Sequence, residues 1–388
     1  MKKRITTYIL CIFVFGIIFL LQGPALAWAG SEPGAEEKFI DAKAAILIDA
    51  GSGKILYEDN AREALPPASL TKVLTALLVV ENTDFNQSFT LPVNFDNPGE
   101  TTIYLAGGET HTILDLFYAM MMTSANDAAV ALAIAVSGSQ EAFVELMNRK
   151  TRELGLKDST WYNPHGLSEE GHLASAYDLA IIAREACKDP VFNQATATGK
   201  RTMPRVGHDD RQLNNRNQLL GSYEGADGIK TGYTRASGSC LMASATRDGM
   251  RLIGIVLNCN EMYTSMEKLL DYGFENFYRK DVAQAGDTMG NIKVKYGKIK
   301  EIPVVLDRNI SMIFDKRTYL DPEAIITMVP EVETPVAKNQ PLGTVTYTDA
   351  DGTTISADLV AGEAVERYTL GGVIRQAFAR IWAVLVRN

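Results

Sequence analysis

The sequence predicts an α+β fold: an antiparallel sheet with flanking helices and a helical lobe, followed by a small all-β domain. Three observations lead there. A β-type hairpin pattern runs from Ala44 to Asn60, a similar pattern returns from Ala226 to Cys259, and between them apolar residues recur at helical spacing. Strands at both ends of a unit with helices in its middle imply that the two ends meet in one sheet. A chain of 388 residues also exceeds the roughly 250 to 300 residues that a single core serves, so two domains are expected.

The elements follow in order. Residues 1–29 start with Lys2, Lys3 and Arg4, continue as an apolar run, and offer small residues at Ala25, Ala27 and Ala29. This is the pattern of a secretory signal peptide; an uncleaved N-terminal anchor is the alternative, ranked lower because of the A-x-A spacing. A unit of catalytic size then spans 31–280. Its first piece, "AAILIDAGSGKILYEDN", reads as two strands about the turn Gly51-Ser52-Gly53. In "PPASLTKVLTALLVVEN", Leu70, Val73, Leu74, Leu77 and Leu78 fall at i, i+3, i+4, i+7 and i+8, an amphipathic helix. Ser69 stands at or near its N-terminus and Lys72 one turn on. Alone, that is either a capped helix or a nucleophile with its base.

Ile113–Met122 and Ala128–Gly138 are helical runs, with Gly138 as the C-cap and the polar break Thr123–Asp127 between them. "QEAFVELMNRKTRELGL" and "ASAYDLAIIAREACKD" give two further helices, the second with Ser175 and Asp178 near its start. After Ala226, apolar runs broken by Asp248-Gly249 read as a hairpin, and "MEKLLDYGFENF" closes the unit as a helix.

Residues 281–367 carry short β-like runs with Pro303, Pro330, Pro335, Pro341 and an Asp351-Gly352 turn, hence the all-β domain. Residues 370–388 place Val373, Ile374, Ala377, Phe378, Ile381, Val384 and Leu385 on one helical face and Gln376, Arg380 and Arg387 on another. The segment is too short and too basic to span a bilayer, so it reads as an amphipathic helix at a membrane surface, aided by Trp382. A terminal helix packed on the β domain is the alternative.

The formal charge is −9, and removal of the three basic residues of the leader leaves −12. Such an acidic chain is a poor nucleic-acid binder, so an anionic substrate group must be met by local cations. Beyond Cys11, the cysteines Cys187, Cys240 and Cys259 form no dense framework; one bridge is possible and none is required. There is no C-x-x-C, and His111, His165, His172 and His208 lack zinc-ligand spacing, so neither a metal nor another cofactor is expected. The same scattered histidines suggest no Ser-His-Asp set.

Three motifs remain: Ser69-Leu70-Thr71-Lys72, Ser124-Ala125-Asn126 and Lys230-Thr231-Gly232, in the order and local settings of S-x-x-K, S-x-N and K-T-G. Each alone has an ordinary reading. Ser69 is an N-cap, Ser124 and Asn126 cap the next helix, Lys230-Thr231-Gly232 begins a strand, and Arg216 is a surface charge. Together they make chemical sense. Lys72 can act as base if burial and a second cation such as Lys230 keep it neutral, and a helix N-terminus at Ser69 offers N–H groups to an oxyanion. Gly232 lets its strand approach a substrate with no side chain in the way.

With the blocks "ALPPASLTKVLTAL", "MMTSANDAAVALA", "NPHGL", "NNRNQLL" and "DGIKTGYT", the chain resembles the D-alanyl-D-alanine carboxypeptidases, the low-molecular-mass penicillin-binding proteins of bacterial cell-wall maturation. The resemblance covers Lys38 to Lys280; the leader, the β-rich second domain and the tail match the usual layout, and only the middle residue of Ser124-Ala125-Asn126 departs from S-D-N. It implies a penicillin-recognising, β-lactamase-like fold. It also implies acylation of Ser69, proton transfer by Lys72, a proton relay through Ser124 and an amide contact from Asn126. Lys230, Thr231 and Arg216 would bind the terminal carboxylate, and the N–H groups of Ser69 and Tyr233 would form the oxyanion hole.

The implied partners are a stem peptide ending in D-Ala-D-Ala and β-lactams as covalent inhibitors, at the outer face of the cytoplasmic membrane. A β-lactamase would need a deacylating glutamate, and the candidate Glu145 falls inside a helical run. Three intact motifs argue against a non-catalytic sensor, whereas a wall endopeptidase remains open. His165, within "NPHGL", is expected to stabilise a loop.

Overall fold

The computed structural model describes residues 39–205, 209–367, 371 and 382. The expected signal peptide, most of the expected tail helix at 370–388 and His208 lie outside the described residues. β1 (Ala44–Asp49) and β2 (Ile55–Asp59) form the expected hairpin. A short 3₁₀ turn, Ala68–Thr71, then leads into α1 (Lys72–Asn82). A two-stranded ribbon of β3 (Ser88–Thr90) and β4 (Thr110–Thr112) introduces α2 (Ile113–Thr123), α3 (Asn126–Ser137) and α4 (Gln140–Glu153). Next come α5 (Ala176–Ala186), α6 (Pro190–Ala197) and a second ribbon of β5 (Lys200–Met203) and β6 (Arg211–Asn214). The unit finishes with β7 (Ala226–Thr234), β8 (Gly238–Arg247), β9 (Met250–Leu257) and α7 (Met262–Asn276).

Local chemistry places the helix ends. Thr112, Ser139 and Ser175 accept the N–H groups of Asp115, Ala142 and Asp178 at the starts of α2, α4 and α5. Gly138 ends α3 in the left-handed conformation, as expected.

The five-stranded sheet has the order β2-β1-β9-β8-β7, so the first strand closes against the last and the two ends of the unit meet, as expected. Ala44, Ile46 and Ile48 of β1 enter the core shared with the helical lobe, while Ala45 and Leu47 enter a second core against α7. Because both faces are covered, these strands read as continuous apolar runs.

From Ala226 the chain forms three strands and two turns, where the sequence pattern gave a single hairpin. Asp248-Gly249 makes the expected turn with φ 48° and 76°. The other turn, at 235–237, has no Asn-Gly or Asp-Gly signal. Instead Ser237 N–H donates to Thr234 Oγ1 at 3.0 Å and Thr234 N–H to Ser237 Oγ at 2.8 Å. The two small ribbons were likewise not anticipated.

β10 (Phe277–Ala283) pairs with β13 (Ile310–Asp315), and a six-stranded sheet follows. Its order is β14 (Glu323–Met328), β16 (Pro341–Thr348), β17 (Thr354–Ala361), β12 (Glu301–Leu306), β11 (Thr288–Lys295) and β15 (Glu331–Glu333). It has its own apolar core, including Ile302, Val304, Val345 and Leu359. Lys54, buried in the β1–β2 turn, ties this region to the first sheet: its Nζ donates to Asp349 Oδ2 at 2.7 Å and lies 2.7 Å from Asp351.

Candidate active site

Ser69 lies inside the 3₁₀ turn, and no side chain caps either that turn or α1. The capping alternative for Ser69 is therefore removed. Its hydroxyl lies instead 3.0 Å from Lys72 Nζ. The chain reaches this turn through Ala68 at φ +49°, and two glycines let other backbone press on it. A Cβ at Gly166 would stand 1.9 Å from the Ala68 carbonyl oxygen, and one at Gly232 would stand 3.1 Å from the Ser69 nitrogen. Gly232 thus permits close approach of its strand to the Ser69 turn itself.

Lys72 is fully buried. Its Nζ has three partners: Ser69 Oγ, Asn126 Oδ1 at 2.7 Å and the His165 carbonyl at 2.6 Å. The Asn126 amide is oriented by its own Nδ2, which donates to the Gly99 carbonyl at 3.0 Å. Asn126 Oδ1 and the His165 carbonyl can only accept, whereas the Ser69 hydroxyl can also donate. A neutral amine has two N–H donors and one lone pair, so it satisfies all three contacts, with the lone pair receiving Ser69 O–H. Burial first, then the charges of Lys230 and Arg216, hold Lys72 well below the usual lysine range.

The loop carrying the His165 carbonyl is shaped by its asparagine. Asn163 Oδ1 accepts the Gly166 N–H at 2.7 Å, Nδ2 donates to the Leu167 carbonyl at 3.0 Å, and Thr75 of α1 donates to Pro164 O at 2.7 Å. His165 itself acts here through its backbone, while its ring Nδ1 accepts Leu167 N–H. Burial and Lys72 push the imidazoles of His165 and His172 down to about 3 and about 4.

Ser124 is the left-handed residue that ends α2, at φ 64°, and α3 begins after Ala125 without a side-chain cap. The capping alternative for Ser124 and Asn126 fails as well. Asp127 fixes the facing segment by accepting the N–H groups of Ile103 and Leu105 at 3.1 and 2.9 Å. Thr71, Asp127 and His172 were missed in the sequence, because each bonds to segments distant along the chain.

β7 is an edge strand of the sheet, and it carries Lys230, Thr231, Gly232 and the exposed Tyr233. Lys230 is buried and donates to the Thr231 carbonyl at 3.1 Å; burial and Arg216 bring it down to about 7. Exposed Arg216 is set by its flanking asparagines. Asn215 donates to the Thr196 and Thr198 carbonyls, Asn217 donates to the Gly228 carbonyl, and Tyr263 O–H donates to Arg216 O. Direct contacts therefore join Ser69, Lys72 and Asn126, and charge joins Lys230 and Arg216 to Lys72. Glu145 is exposed on α4.

Residues 31–261 match the family described as D-alanyl-D-alanine carboxypeptidase, and residues 277–367 match the C-terminal domain of penicillin-binding protein 5. The chain is 34% identical to the D-alanyl-D-alanine carboxypeptidase DacF of Bacillus subtilis, over 94% of each chain. It is 32% identical to DacC of Escherichia coli, over 95% of this chain and 93% of that one. Among solved structures, penicillin binding protein 5 from Haemophilus influenzae has a TM-score of 0.67 and 30% identity, covering 84% of this chain and 98% of its own. A peptidoglycan synthesis regulatory factor from Streptococcus pneumoniae has a TM-score of 0.75 and 28% identity, covering 84% of this chain and 100% of its own. These likenesses bear out the penicillin-recognising fold, and with a family match across most of its length the chain belongs to the D-alanyl-D-alanine carboxypeptidase family.

Proposed function

We propose that the chain removes the terminal D-alanine from peptidoglycan stem peptides through an acyl-enzyme on Ser69, the hydroxyl that β-lactams also acylate. The observation that carries this reading is the 3.0 Å approach of Ser69 Oγ to a buried Lys72 amine held well below the usual lysine range. Lys72 takes the Ser69 proton as Oγ attacks the carbonyl carbon of the D-Ala-D-Ala bond. The N–H groups of Ser69 and Tyr233 receive the developing oxyanion. Ser124 passes a proton to the departing amine, and Asn126 holds the substrate amide. Lys230, Thr231 and Arg216 bind the terminal carboxylate. Water then cleaves the ester and restores Ser69.

In this reading residues 1–29 direct export, 31–280 form the catalytic domain and 281–367 the β-rich domain. Residues 370–388 rest on the outer face of the cytoplasmic membrane, a placement supported by their apolar and basic faces. Among the described residues no single helix is long and apolar enough to cross a membrane.

The test uses protein lacking residues 1–29, a synthetic stem peptide ending in D-Ala-D-Ala, and benzylpenicillin followed by intact mass. Release of D-alanine and a slowly decaying adduct are expected, both abolished in Ser69→Ala. A stable adduct without D-alanine release would replace this reading with a sensor or an endopeptidase. Rapid penicillin turnover without peptide cleavage would replace it with a β-lactamase.

A further inference from the structure

The geometry of Ser69 depends on Ala68, a non-glycine residue at φ +49° whose carbonyl sits at the end of a buried hydrogen-bond relay. Thr71 Oγ1 donates to Ala68 O at 2.8 Å and lies 2.9 Å from His172 Nε2. His172 Nδ1 accepts the Tyr162 N–H at 3.1 Å and so bears no proton. In a neutral ring the proton is then on Nε2, which donates to Thr71 Oγ1. All donors point the same way: Tyr162 N–H to His172, His172 to Thr71, and Thr71 to Ala68. His172 and Thr71 are 3% and 0% exposed, leaving no water to replace a lost link.

The relay is anchored at its far end. Trp161 N–H donates to Asn148 Oδ1 of α4 at 3.1 Å, and its indole N–H donates to Thr151 Oγ1 at 2.8 Å. The Trp161 ring meets His172 edge to face at 5.6 Å.

We propose that His172 is a positioning residue for the acylation step: through Thr71 it fixes the Ala68 carbonyl, and with it the turn that aims Ser69 Oγ and presents the Ser69 N–H. This rests on the reading of Ser69 as the nucleophile. A protonated ring would set Nδ1–H against Tyr162 N–H, two donors facing each other, so the relay needs the neutral imidazole. Burial, the largest cause, keeps it so, with the imidazole down to about 4. His172 touches no substrate in this scheme; it acts through backbone geometry.

The test is time-resolved acylation of the full chain by benzylpenicillin, separating the dissociation constant of the first complex from the acylation rate. His172→Phe keeps the ring and removes both nitrogens. Thr71→Val keeps the shape and removes the hydroxyl. Each is expected to slow acylation at least tenfold with the first complex unchanged, and the double variant to be no slower than the slower single one. His172→Gln, whose amide N–H can reach Thr71, is expected to restore most of the rate. Wild-type acylation in folded Thr71→Val, additive losses, or a glutamine variant no faster than phenylalanine would overturn the relay. If His172→Phe does not fold, Thr71→Val and His172→Gln decide. Absence of any Ser69 adduct in the wild type would instead remove the nucleophile reading beneath it.

Discussion

Lys72 and Lys230 are two buried amines in one site, and under the proposed mechanism their protonation sets opposite limbs of activity. Lys72 works as a base only when neutral, so activity rises with pH as it loses its proton. In its proposed role Lys230 attracts a carboxylate only when charged, so activity is expected to fall as pH climbs past its value of about 7. The profile of kcat/KM, which reports the free enzyme, should therefore show a falling limb near pH 7. In kcat that limb should move to higher pH, because a bound carboxylate favours the ammonium. Steady-state kinetics from pH 5 to 9 with the D-Ala-D-Ala peptide check this, and a flat kcat/KM would remove Lys230 from carboxylate binding. Residue types and their order made Ser69, Lys72, Ser124, Asn126 and Lys230 legible in the sequence. The His165 carbonyl was not legible, since every residue has one and only its placement makes it a ligand of Lys72.

Helix α1 and the loop 163–172 behave as one element. Thr71, Lys72 and Thr75 of the helix side bond His172, the His165 carbonyl and the Pro164 carbonyl. Five apolar residues of the helix segment, Leu70, Val73, Leu74, Leu77 and Leu78, are buried as its spacing foretold. Each contributes roughly 1.5–3 kcal/mol, enough together to offset burial of one amine at several kcal/mol. Gly166 is the joint, at φ +86° against the Ala68 carbonyl. Gly166→Ala should destabilise the fold by about 1–3 kcal/mol and slow penicillin acylation, because the Ser69 turn must yield to the new methyl group. Urea midpoints and acylation rates measure the two effects. Unchanged rates would mean the turn tolerates displacement. The three cysteines among the described residues show similar context control: all are free thiols, and burial holds Cys187 and Cys240 up at about 11, far from a reactive thiolate.

At the scale of the molecule, the sheet with its two covered faces is the frame, and β7 at its edge carries the K-T-G triplet past the Ser69 turn. The Lys54 contacts with Asp349 and Asp351 join the β-rich region to the same frame. If residues 370–388 rest on a membrane, deletion after Arg367 should release the enzyme from anionic liposomes without loss of turnover. Co-sedimentation and D-alanine release test both halves, and unchanged partition would place membrane attachment elsewhere.

The sequence by itself determined the helices with strong periodicity, the first β-hairpin, the Gly138 and Asp248-Gly249 stops and the three chemical motifs. Each of these is written in residues close together along the chain, where spacing and side-chain type carry the physics. Tertiary structure alone decided that Ser69 is no cap, that Gly232 faces the Ser69 turn, and that His165 meets Lys72 through its carbonyl. It also decided that Thr71 and His172 meet across 101 positions of chain. Those outcomes depend on which backbone groups burial leaves without water, and that is fixed only when distant segments pack.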